Sequence, residues 1–341
     1  MKAFIIDGPR DASVVEVEAP TALVGHAVVS VERAGVCGTD TASYLGELPY
    51  LHDGHARFPL RIGHEWMGTV IDIGADVDRA WLGRRVVGDT MMGCGECSFC
   101  LSGRHYVCET RFEVGVRNGW PGALAEQVLM PAAALYRLPE SVDAAMGALV
   151  EPGATALRAV KAAQLFPGSR ILVIGPGTIG LLVVQFALAH DAEVHVRTEP
   201  GDVRGQKMAM DLGVHGIWEA PELPTIQFDA AVDATSDASV PQSSIEMVEP
   251  ARRVVLVGVS GTPSLVDSRS LVMKDATAIG ILGGSLALQE TIQYFATGKV
   301  DPRPLIAATV SLEAVSDILE GHRPASAGPG PKFHVDPNAA A

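Results

Sequence analysis

Four of the five cysteines, Cys94, Cys97, Cys100 and Cys108, fall within fifteen residues of a 341-residue chain, at C-x2-C-x2-C-x7-C spacing. Four thiolates so spaced can close a tetrahedral shell around zinc with no water, as a structural zinc site requires. Two disulfides are the competing reading, but that arrangement belongs to short, cysteine-dense secreted scaffolds. The N-terminus, Met1 to Arg10, carries an acid and a proline where an export signal needs an apolar run. A reducing, cytoplasmic setting is therefore expected. Cys37 stands alone before Gly38, Thr39 and Asp40, and its thiolate is left for an open, catalytic metal.

A chain of this length is expected to form two domains, and 48% hydrophobic with 19% charged residues is ample for two cores. The 26 basic and 40 acidic residues give a net charge of -14, which repels nucleic acid and anionic lipid. Ile171 to Ala189 is free of charge and long enough to span a membrane. Gly175, Pro176 and Gly177 would break such a helix, so the run parses as a buried strand, a turn and a buried helix.

The first 150 residues carry short β-branched segments punctuated by Gly, Pro and Asp, including 27–31, 68–73 and 85–88, and read as a β-rich domain. From about Gly153, apolar strands alternate with helical patterns, at 170–174, 193–197, 228–233, 253–259 and 276–282. Strands separated by helix-length segments predict a parallel, doubly wound sheet. A further strand is expected at 332–336, returning to the first domain, and Pro337 to Ala341 are expected to fray.

Gly175-Pro176-Gly177-Thr178-Ile179-Gly180 matches G-x-G-x-x-G, follows the strand at 170–174 and opens a helix near Thr178. The first glycine permits the turn, the second lets a pyrophosphate approach the backbone, and the third lets helix and strand pack closely. Free N-H groups at the helix N-terminus then face the phosphates. Glu199, at the end of the next strand, can accept hydrogen bonds from the adenosine ribose and repel a 2′-phosphate, which favours NAD. Arg197 and Arg204 are close enough in sequence to keep NADP open.

Gly35-Val36-Cys37-Gly38-Thr39-Asp40, Gly63-His64-Glu65, the four-cysteine lobe, Glu151-Pro152 and the dinucleotide motif stand in the order seen in the zinc-dependent medium-chain alcohol dehydrogenases. The chain resembles that family over nearly its whole length, and most resembles its sorbitol, threonine and polyol dehydrogenase branch. The resemblance implies an α/β fold with a discontinuous GroES-like catalytic domain at 1–154 and 290–341. A structural zinc lobe at about 89–115 would belong to it. A Rossmann dinucleotide-binding domain would cover 155–289, with a catalytic zinc in the cleft between the two.

The chemistry of the residues agrees. A thiolate (Cys37), an imidazole (His64) and a carboxylate (Glu65 or Glu151) make a three-ligand zinc site that leaves a position for substrate. Zinc lowers the pKa of bound water from about 15.7 to about 7, so an alcohol in that position should give up its proton and pass hydride to nicotinamide. Glu151 alone would read as the acid of a helix first turn.

By the same resemblance, Thr39 hydrogen-bonds the substrate hydroxyl and passes its proton outward, and Asp40 holds the His64 ring. Many relatives carry a relay histidine where this chain has Ala42; His52 and His55 are the candidates to replace it. Tyr44, Trp66, Phe112 and Trp120 are candidate pocket aromatics.

The Glu-Pro pair resembles that of the polyol and amino-alcohol branch, and the resemblance implies a secondary alcohol with further polar groups (a polyol, cyclitol or amino alcohol) oxidised to a ketone, with a bulky apolar alcohol as the alternative. The rivals are a non-catalytic zinc- and dinucleotide-binding relative and a zinc-free reductase of the same fold. The strand at 276–282 resembles the segment that pairs across subunits in this family, and an apolar edge left unpaired would invite aggregation, so a homodimer, or a tetramer built from dimers, is expected. No nucleic acid or membrane partner is expected.

Overall fold

The computed structural model describes residues 1–340 apart from residue 223. The chain forms two units: one from Met1–Glu151, Leu288–Thr297 and the chain from Ile306 onward, the other from Pro152–Ala287 and Gly298–Leu305.

The first unit is organised on the strand His26–Val36. Glu65–Ile73 runs antiparallel along it, Gln127–Pro131 pairs with its first residues, and Lys332–Val335 pairs with Ala34 to Val36. Arg85–Gly88 and Leu135–Arg137 extend the sheet on one side and Ile306–Val310 on the other. Phe4, Ile6, Val29, Val31, Trp66, Val70, Leu124 and Met130 belong to one fully or nearly fully buried apolar cluster, the burial that offsets the entropy of ordering so many short strands. Gly35 pairs with Glu65 on one side and with His334 on the other. The last strand is thereby placed beside the loop that carries Cys37.

The second unit is a six-stranded, all-parallel sheet in the order Gly216–Glu219, Glu193–Thr198, Arg170–Ile174, Phe228–Asp233, Val248–Leu256, Thr277–Gly280. In chain order this is 3-2-1-4-5-6, the Rossmann arrangement. Its central strands are buried on both faces, which is why they read as unbroken apolar runs. The helix Thr178–Leu188 is buried at every position from Gly180 to Ala187, so the charge-free stretch is a strand, a turn and a core helix. No described helix is long and apolar enough to cross a membrane.

Three local differences have physical causes. The short strand Gly216–Glu219 gave no sequence signal, because it opens on glycine and is only half-buried. The strand expected at 253–259 runs instead from Val248 to Leu256. It ends before Gly258, where a Cβ would collide with the backbone of Thr235. Within the terminal segment expected to fray, the Asn338 side chain donates to the Val31 carbonyl at 2.8 Å; Ala341 lies outside the described residues.

Candidate active site

Cys37 is the N-cap of the helix Gly38–Leu45, and Asp40 is its third residue. Asp40 Oδ2 accepts the Cys37 backbone N-H at 2.9 Å. Its other oxygen, Oδ1, is buried without a hydrogen-bond partner, 3.7 Å from the equally unpartnered Nδ1 of His64. A single carboxylate therefore fixes the cysteine loop and faces the histidine ring. Ligand atoms of Cys37, His64 and Glu65 all lie within 4.8 Å of one another. Glu151, in the first turn of the helix Val150–Ala163, lies outside that set.

The electrostatics of this cluster suit a cation. Burial disfavours the charged His64 imidazole, yet Asp40 and Cys37 outweigh it and hold its pKa well above the ordinary value. Burial pushes Glu151 up to about 7, with Glu65 adding to the effect of burial and His64 opposing it. Orphaned buried polar atoms and an excess of negative groups are what a site built for a divalent metal looks like from its ligands' side. A soft thiolate, an imidazole and a carboxylate suit zinc.

Thr39 places Oγ1 4.0 Å from Cys37 Sγ. Ala42 is half-buried and packs against a small apolar cluster of Leu48, Ala56 and Val116. His52 is exposed, and His55 is taken up by the Arg117 guanidinium, whose Nη2 lies 3.1 Å from its ring nitrogens. Of the aromatic candidates, Tyr44 and Trp66 are core residues, 3% and 2% exposed. Phe112 and Trp120 pack edge to face at 5.5 Å.

In the lobe, ligand atoms of Cys94, Cys97, Cys100 and Cys108 also lie within 4.8 Å of one another. Cys94 and Cys100 Sγ are 3.9 Å apart. Four sulfurs about 2.3 Å from a central zinc at tetrahedral angles stand about 3.8 Å apart, whereas a disulfide needs about 2.05 Å. Backbone N-H groups of Cys97 and Cys100 point at Cys94 and Cys97 Sγ at 3.4 and 3.5 Å, and the N-H groups of Glu96 and Cys97 hold the Cys94 thiol below its ordinary pKa.

In the second unit, Gly175 has φ +90°, and a Cβ there would press on Thr235. At Gly180 it would strike the Gly175 carbonyl, while at Gly177 it would meet nothing. The first and third glycines thus serve turn and packing, and the second leaves the space that a pyrophosphate needs. The adjoining crevice is lined by Gly175, Pro176, Arg197, Thr198, Glu199, Asp202 and Thr235 among others. Arg204 is not among its lining residues and is exposed on the helix Val203–Asp211.

Sequence reasoning passed over several residues. Asp202 lines the crevice and caps that helix, accepting the Gly205 N-H at 2.9 Å. Asp233 accepts both the N-H and the hydroxyl of Thr235, at 2.9 and 2.8 Å, and so holds a residue that lines the crevice. Lys332, from the last strand, lies 2.6 Å from Glu65 with both side chains almost fully buried. Nothing local in the sequence marks it, because its partner lies 267 positions away.

Residues 24–140 match the model of the alcohol dehydrogenase GroES-like domain and residues 178–297 that of the zinc-binding dehydrogenases. The 2-dehydro-3-deoxy-L-galactonate 5-dehydrogenase of Pseudoalteromonas atlantica is 30% identical over 319 residues, covering 89% of this chain and 90% of the relative. The rspB alcohol dehydrogenase structure from Escherichia coli CFT073, in complex with NADH, superposes with a TM-score of 0.89 at 26% identity, covering 98% of this chain and 99% of that one. A zinc-binding dehydrogenase structure from Sinorhizobium meliloti 1021, bound to NADP, gives a TM-score of 0.88 at 26% identity, with the same coverage.

Proposed function

Because the chain belongs to the zinc-dependent medium-chain alcohol and polyol dehydrogenase family, we propose that this NAD(P)-dependent alcohol dehydrogenase interconverts a polar secondary alcohol and its ketone. A polyol, cyclitol or amino alcohol is the substrate class and NAD the preferred coenzyme. The observation that carries this reading is the convergence of Cys37, His64 and Glu65 within 4.8 Å, three ligands that leave a fourth position free.

In this reading Cys37, His64 and Glu65 hold a catalytic zinc, and the four cysteines of the lobe hold a second, structural one. Zinc supplies Lewis acidity when bound, and the nicotinamide supplies the hydride acceptor. Asp40 keeps the His64 ring oriented through Nδ1 and presents its other nitrogen to the metal. The Thr39 hydroxyl, able both to donate and to accept, takes the proton of the substrate hydroxyl and hands it on. Residue 42 is an alanine and offers no imidazole, so that proton leaves by another path.

Glu199, exposed on the crevice wall, is the acceptor for the adenosine ribose hydroxyls and the source of repulsion toward a 2′-phosphate. The relative acting on a sugar acid supports a polyhydroxylated substrate. The exposed strand Thr277–Gly280, at the edge of the parallel sheet, is the surface by which two copies would pair.

The test is an initial-rate screen over polyols, cyclitols, amino alcohols and apolar secondary alcohols, with NAD and NADP in parallel and zinc counted per chain. Turnover of a polar secondary alcohol with NAD ahead of NADP supports the reading. Exclusive turnover of apolar alcohols overturns the substrate class, and no turnover at full zinc load overturns the catalytic role.

A further inference from the structure

Lys332 is one of the most deeply buried cations of the described chain, 3% exposed against 1% for Glu65. It stands on the strand Lys332–Val335, next to the cysteine strand. Its Nζ lies 2.8 Å from Glu65 Oε1, 2.6 Å from Glu65 Oε2 and 2.8 Å from the Val36 carbonyl. An ammonium has three protons to donate, so these contacts use all of them. Val36 immediately precedes Cys37, and Glu65 immediately follows His64. One cation therefore ties together the two segments that carry the metal-ligand set.

Gly35 completes the arrangement. It pairs with Glu65 across the sheet, and a Cβ at this position would collide with Glu65 Oε2. The missing side chain lets the carboxylate lie across the strand and reach the ammonium. Each carboxylate oxygen has two lone pairs, so Glu65 can accept from Lys332 and still ligate a metal. A buried ion pair costs desolvation that its own attraction barely offsets, so a purely stabilising role explains it poorly. Charge balance explains it better: the Cys37 thiolate and the carboxylates of Glu65 and Asp40 outnumber the charge of one divalent ion by one, and the ammonium supplies the difference.

We propose that Lys332 is a positioning residue of the metal centre, which clamps Glu65 against Cys37 and His64 as the carboxylate ligand and leaves Glu151 outside the ligand set. The proposal rests on the zinc reading above and deepens it.

The test uses the full chain with cobalt(II) at the Cys37 site, whose visible absorption reports the ligand set. K332M should weaken metal binding there about 10- to 100-fold, the range for partners that orient metal ligands. It should also shift the visible band while leaving metal at the four-cysteine lobe untouched. K332R, which keeps the charge, should recover part of the affinity. In an E65Q background, K332M should cost no more than about twofold further, because Lys332 acts through Glu65.

Parental affinity and spectrum in K332M, or an equal loss with and without the Glu65 charge, overturns the proposal. If K332M does not fold, Gly35→Ala serves instead, since it displaces Glu65 with Lys332 intact. It should lose metal to the same degree, and parental binding would overturn the clamp. A Cys37→Ser protein with the full parental cobalt load would overturn the zinc reading itself, a separate result.

Discussion

Replacing His334 by leucine should make the protein more stable and less sensitive to acid. His334 is fully buried opposite Gly35, and neither ring nitrogen has a hydrogen-bond partner. Burial pushes its pKa down from 6.5 to about 3, helped by the positive charges of Lys332 and Arg33. The folded-state pKa is the lower one, so the unfolded chain takes up the proton first, and stability falls as pH drops from 6.5 toward 3.

With those two values, the linkage costs about 0.2 kcal/mol at pH 7 and about 2 kcal/mol at pH 5. The leucine variant lacks this term and also lacks the unsatisfied ring nitrogens, worth about 1–3 kcal/mol at any pH. Urea unfolding of parent and variant at pH 7 and pH 5 measures the difference directly, since other acid-sensitive groups are common to both proteins and cancel. The variant's advantage should widen by about 2 kcal/mol between the two pH values. An advantage that stays constant, or a variant less stable than the parent at pH 5, would refute the picture of a histidine held neutral by its surroundings.

Other substitutions probe the two sites. Asp40→Asn keeps the side-chain volume but removes the charge facing His64, and kcat/KM should fall about 10- to 100-fold with metal affinity falling in parallel; parental affinity for metal would show that Asp40 serves only the cysteine loop. Gly180→Ala drives a methyl into the Gly175 carbonyl, and should cost about 1–3 kcal/mol of stability and weaken coenzyme binding, read by thermal unfolding and fluorescence titration with NADH. Glu199→Ser removes the carboxylate from the crevice wall, and the NADP to NAD ratio of kcat/KM should rise about tenfold or more, equivalent to about 1.4 kcal/mol; an unchanged ratio would assign coenzyme choice to other residues, Asp202 first.

Residues whose role is set by chemistry and short-range spacing were legible in the sequence. The four-cysteine spacing, the strand-turn-helix around Gly175 to Gly180 and the separate Cys37 and His64-Glu65 segments needed only local rules. Lys332 was hidden for a different reason: a lysine at the start of a short strand reads as an edge charge, and its burial depends on a pairing with a strand some 300 positions earlier. Gly35 looked like one glycine of a motif until the register put Glu65 across from it. Asp202 and Asp233 carry no local signal, since only strand order brings Asp202 and the Thr235 that Asp233 holds to one crevice. Of the relay candidates, His55 is engaged by Arg117 from 62 positions away, a contact that no local rule could show.

In the proposed function, Cys37, His64 and Glu65 hold a metal ion on which turnover depends. Zinc counted per chain in the parent and in Cys37→Ser, with the oxidation rate of the same samples, tests it most directly. Two zinc ions are expected in the parent and one in the variant, with turnover lost along with the missing ion. A variant that keeps both ions and oxidises the substrate at the parental rate would contradict it.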